Sequence, residues 1–81
     1  MRTYKEVLEG GIHLLDAAAL EEARLDAWLL LEYTADITRA WYYAHMDDAL
    51  DEETAARYMN LCEKRAQRIP LQHLTGQAWF M

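Results

Sequence analysis

The sequence predicts an all-α fold: a small bundle of four helices, a short fifth turn and an extended C-terminal tail. Three observations lead there. The 81 residues contain only three glycines and one proline, too few for a turn-rich β fold. Alanine and leucine, both good helix formers, recur through the chain. Apolar residues repeat at helical spacing between residues suited to capping.

The first helix is expected from about Tyr4 to Ala18. Thr3 stands at its start with Glu6 three residues on, the capping-box spacing. Gly10 and Gly11 lie in the middle of it. Each disfavours a helix interior by about 1 kcal/mol relative to Ala. They are read as a bend or a place of close approach in one helix, with a split into two shorter pieces as the alternative.

The second helix opens on Glu21 and Glu22, whose charge suits a helix N-terminus. Ala23, Ala27, Leu30 and Leu31 form a stripe that Thr34 extends and that Leu25, Trp28, Leu29 and Tyr33 widen. A helix apolar around so much of its circumference is expected at the centre of the bundle. Asp36 or Thr38 caps a short third helix, TRAWYYAHM. Neighbouring side chains on a helix diverge by about 100°, so one or two of Trp41, Tyr42 and Tyr43 belong at the rim. Residues 47–50 read as a loop.

Asp51 caps the fourth helix, with Thr54 three residues on. Glu52 and Glu53 load its first turn, and Lys64, Arg65 and Arg68 its last. Ala55, Met59, Cys62, Ala66 and Ile69 are expected to face inward. Pro70 forces a break. PLQHL then suits a single turn closed by Gly76, and QAWFM a lone strand.

Charge narrows the function. The net charge is −6, with thirteen acids against five Lys/Arg in residues 1–59 and one acid against three in residues 60–81. Such acidity argues against direct nucleic-acid binding and suits a basic protein partner, or simply a soluble surface. The longest wholly apolar run, Ala27–Leu31, is far short of the roughly 20 residues of a membrane span. With one cysteine and no signal-like N-terminus, a soluble cytoplasmic protein is expected.

Candidate chemistry is sparse. His13, His45 and His73 lie far apart and, with Cys62, match no zinc pattern. Cys62 is expected to be a buried, inert thiol. No serine elbow, phosphate loop or nucleotide fingerprint is present, and LEGGIH is too short to be one. No catalytic, metal or cofactor residue is therefore assigned. Asp26, between Leu25 and Ala27 in the most apolar helix, is weighed two ways. It is a partner contact, or it reaches a helix end, the Arg24 neighbourhood, or Arg65 and Arg68 across the bundle. The internal pairing is favoured.

Two stretches carry a resemblance. Arg24-Leu25-Asp26-Ala27 runs into leucines. Later the basic end at Arg65 and Arg68 is followed by Pro70-Leu71-Gln72-His73-Leu74-Thr75-Gly76 and then Trp79-Phe80. Across residues 20–80 this series resembles the N-terminal domain of the HemK family, methyltransferases that modify a glutamine in peptide chain release factors. The Gly10-Gly11 pair departs from that pattern. The family's S-adenosylmethionine loop and Asn-Pro-Pro-Tyr segment are absent.

The resemblance implies a helical recognition domain over residues 1–69, and a hinge with the start of a missing catalytic domain over 70–81. QAWFM would then open a hairpin. It further implies a chain that binds a release factor and positions it without catalysis. S-adenosylmethionine would be held by the parent enzyme, and the partners would be the release factor and the enzyme's own catalytic domain. Arg65, Arg68, Pro70, Gln72, His73, Thr75 and Gly76 become the implied partner or interdomain contacts, together with the exposed side of the first two helices. Two other readings stand beside it. One is a stand-alone adaptor that docks through Trp41-Tyr42-Tyr43. The other is a brace for its own catalytic domain.

Overall fold

A computed structural model describes residues 2–75, and these form five helices: α1 (Tyr4–Ala17), α2 (Ala23–Ala35), α3 (Arg39–His45), α4 (Glu52–Ala66) and α5 (Leu71–Thr75). The expectations for Gly76 and for the QAWFM tail lie outside the described residues.

The capping box forms as expected: the Glu6 amide donates to Thr3 Oγ1 at 3.1 Å, and the Thr3 amide to Glu6 Oε1 at 2.9 Å. Two further N-terminal amides find acceptors much later in the chain. Tyr4 donates to the Asp48 carbonyl and Lys5 to that of Met46, at 3.1 and 3.0 Å. Thr3 pairs with Ala49 in an isolated antiparallel bridge, and the Leu50 amide donates to the Arg2 carbonyl. The loop before α4 thus completes the start of α1.

Helix α1 is unbroken through its glycines. Gly10 is exposed, and a Cβ there would meet nothing within 4 Å. Gly11 is buried, and a Cβ there would lie against the Tyr58 hydroxyl and 2.7 Å from its Cζ. Gly11 therefore creates the space that Tyr58 fills.

Helix α2 is the central element. It packs on α1, α4 and α5, and Ala27, Leu30 and Leu31 are wholly buried. It starts at Ala23, with Glu22 as a cap that makes no side-chain hydrogen bond, so Glu21 and Glu22 precede the helix. Leu25 and Tyr33, expected to widen the stripe inward, are exposed.

Asp36 closes α2 in the left-handed region, and Thr38 caps α3 by accepting the Trp41 amide at 3.1 Å. Of the aromatic trio, Tyr42 is buried edge-on to Trp28 at 5.3 Å between ring centres, Trp41 is half-buried and Tyr43 is exposed. Asp51 caps α4, with its Oδ2 accepting from both the amide and the hydroxyl of Thr54 at 2.9 Å. Those bonds favour the ionised form and lower the Asp51 pKa.

The inward face of α4 needs one correction. Ala55, Tyr58 and Cys62 are its buried residues, while Met59, Ala66 and Ile69 are half-buried. Tyr58 is acceptable at the centre because its hydroxyl donates to the Ala27 carbonyl at 2.9 Å. The main core cluster joins Val7, Trp28, Leu30, Leu31, Tyr42, Leu50, Ala55, Tyr58 and Cys62; a smaller one joins Leu15, Leu20, Ala23 and Ala27.

Candidate functional site

The sequence-predicted contact residues gather where α4 gives way to α5. Asp26 on α2 is 5% exposed, and its Oδ2 accepts from Arg65 Nε at 3.1 Å. The same guanidinium donates through Nη1 to the Ile69 carbonyl at 3.2 Å. One side chain on α4 thus ties α2 to the residue before Pro70. The internal pairing expected for Asp26 is present, but with Arg65 alone.

Arg68 was expected to share that carboxylate and does not. Its Nη2 donates to the Ala18 carbonyl at 3.1 Å, beside the C-terminal end of α1. A cation there meets the partial negative charge of unpaired carbonyls. The Arg68 backbone has φ 73°, in the left-handed region, and ends α4 with the Ile69 amide donating back to the Lys64 carbonyl. Arg65, Arg68, Asp26, Glu21 and Glu22 border a polar hollow of about 370 Å³.

Beyond this clasp, the Pro70 carbonyl accepts from the amides of His73 and Leu74 at 3.0 and 3.3 Å and opens α5. Pro70, Gln72 and His73 are exposed, Leu74 packs on the core, and Thr75 is buried with its hydroxyl donating to the Leu71 carbonyl at 3.2 Å. Gly76 lies outside the described residues.

A second feature is an apolar groove between α1, α2 and α3, about 480 Å³ in volume. Leu8, Ile12, Trp28 and Tyr42 line it with the exposed Leu25 and Tyr43, which are 43% and 66% accessible. Glu21, Glu22, Arg24 and Arg39 border it, and Arg39 stacks over Trp28 at 5.1 Å from the ring centre. The sequence signal for this groove was the surplus of large apolar residues on α2 and α3 beyond what one core face needs.

Other reactive groups lie apart. The Cys62 thiol is fully buried, and desolvation pushes its pKa up to about 11. Burial raises the Tyr58 hydroxyl further. His45 stacks on Trp41 at 4.1 Å, while His13 and His73 are exposed. Among the described residues no three His, Cys, Asp or Glu side chains converge as metal ligands, and no helix is long and apolar enough to cross a membrane.

The fold and the clasp define a five-helix domain whose last described turn packs on α2 and α4, with Arg68 just before it tied to the end of α1. Residues 6–76 match the family described as the PrmC N-terminal domain, and the chain belongs to that family. It is 33% identical over 79 residues to the release factor glutamine methyltransferase of Moorella thermoacetica, covering 98% of this chain and 28% of that protein. The enzyme of the same name from Mycolicibacterium smegmatis is 36% identical over 80 residues, 99% of this chain and 28% of its own length. That from Xylella fastidiosa is 38% identical over 69 residues, 85% of this chain and 25% of its own. The chain therefore spans little more than a quarter of these relatives. No solved structure matches it.

Proposed function

We propose that this chain is the recognition part of a release factor glutamine methyltransferase. Residues 1–69 bind the release factor, and residues 70–81 lead into a catalytic domain that holds S-adenosylmethionine and transfers its methyl group. The chain itself binds and positions. The observation that carries this is the apolar groove between α1, α2 and α3, bordered by Glu21, Glu22, Arg24 and Arg39, on a domain of this family whose chain has net charge −6. A release factor works against ribosomal RNA and so presents basic patches. The chain's net negative charge orients such a partner and speeds its approach, while exposed apolar side chains such as Leu25 and Tyr43 supply anchors. The hinge residues Arg65, Arg68, Pro70, Gln72, His73, Thr75 and Gly76 set the angle between recognition and catalytic parts.

The test is alanine substitution at Leu25 and Tyr43 in the full-length enzyme. Release-factor methylation should fall while S-adenosylmethionine binding stays intact. If both fall together, the surface is structural. Calorimetry of this chain with a purified release factor at two salt concentrations should show binding that weakens with salt.

The clasp favours a second role, as an intramolecular brace, because it fixes the segment that leaves the bundle. Deleting residues 1–69 from the full-length enzyme separates the two. A brace predicts lost cofactor binding or instability; a recognition domain predicts a folded enzyme that methylates poorly.

A further inference from the structure

Another groove lies between α2, α4 and α5, open to solvent and about 650 Å³ in volume. Tyr33, Leu61 and Leu74 give it an apolar lining, and Tyr33 is among the few large exposed hydrophobic residues. Arg57 and Lys64 are its only charged side chains, in a chain of net charge −6. They stand two turns apart on the outer side of α4, with Asn60 between them. Neither forms an ion pair among the described residues, where Arg65–Asp26 is the one such pair. Unpaired cations beside apolar surface suit a ligand that brings both carboxylates and an apolar anchor. The groove also adjoins the C-terminal end of α5, where Leu74 forms part of its wall. A segment joined by a short connection arrives there at a high effective concentration and needs little intrinsic affinity.

The charge and position of this groove point to an occupant: an acidic segment of the polypeptide that follows this domain in the full-length protein, with its apolar side chain on Leu61 and Leu74 and its carboxylates on Arg57 and Lys64. This rests on the reading of the chain as the N-terminal part of a longer methyltransferase. It adds a second interface, on a different face from the release-factor groove.

A thiol placed in the groove tests it. Asn60→Cys is exposed in this chain, while the native Cys62 is fully buried and stays silent toward a maleimide. In the full-length protein the Asn60→Cys thiol should react about ten-fold more slowly than in the 81-residue chain, the ratio for a groove occupied roughly nine-tenths of the time. Ala44→Cys, exposed on α3, should react equally in both. Adding Arg57→Glu and Lys64→Glu should restore fast labelling in the full-length protein. Equal labelling of Asn60→Cys in the two proteins overturns the proposal, as does protection that survives the charge reversal or appears only when RNA is added. Release-factor methylation by the same full-length protein reports separately on the family reading, so the two can fail independently.

Discussion

Two regions of α4 hold the bundle by different means. Its middle is sealed by packing: Tyr58 fills the space left by Gly11 and spends its one polar atom on the Ala27 carbonyl. Its foot is tied by polar contacts: Arg65 spans Asp26 and Ile69, and Arg68 reaches Ala18. Packing of the first kind supplies most of a small domain's stability, because apolar area leaves water there. Contacts of the second kind add less net energy, since desolvation of the ions offsets much of their attraction. They fix direction, which is what the exit of a chain toward another domain requires.

The comparison is broken most severely at Gly11. Gly11→Ala should destabilise the domain by about 3 kcal/mol, because the methyl group would displace a buried tyrosine ring. For a domain of this size each kcal/mol lowers Tm by roughly 4–8 °C, which calorimetry resolves easily. At the foot, Asp26→Ala should cost about 2 kcal/mol by leaving Arg65 half-buried without its carboxylate. Arg65→Ala in the same background should then cost little more, so a double-mutant cycle isolates the pair. If the two effects simply add, the clasp does not couple the helices.

Tyr58→Phe sharpens the comparison from the packed side. It keeps the ring and removes one hydrogen bond, and should cost about 1 kcal/mol. It also bears on pH. Burial raises both Tyr58 and Cys62, the latter from its ordinary 9.0 to about 11. The folded state holds these protons more tightly than the unfolded chain does. The Cys62 contribution is therefore whole below pH 9 and lost as pH rises through 11. Denaturation midpoints should fall above pH 9 in the native protein and fall less steeply in Tyr58→Phe and Cys62→Ala. The smallest change is a gain: Gly10→Ala, on the open side of α1, should stabilise by about 0.8 kcal/mol. A loss there would mean that the helix needs its first glycine for something other than space.

The N-terminal helix ends were legible because Thr3, Thr38 and Asp51 cap with their own side chains, and such residues announce themselves. The C-terminal ends were less so. Ala19, Asp36 and Arg68 take the left-handed conformation that glycine usually supplies, while two of the three glycines lie inside α1. Tyr58 was missed at the centre of α4 because a hydroxyl suggests the rim, and its acceptor is a backbone carbonyl 31 residues away that no side chain signals. Asp26 could be found, since a carboxylate amid leucines must be paired, and Arg65 stood on the facing helix. The Arg68 partner could not, being a main-chain oxygen. The grooves are only half legible: surplus apolar residues show that one exists, whereas which face carries it depends on how the helices cross.

The first residues of the chain lean on carbonyls that are made some forty residues later, at Met46 and Asp48. During synthesis α1 leaves the ribosome before the other four helices, yet its opening turn is completed only after the loop before α4 has followed. A nascent chain halted before residue 46 would hold α1 without its final acceptors, and its apolar stripe would stay exposed. The domain is thus set to close by joining its beginning to its middle, a long-range step that slows folding relative to purely local helix pairing.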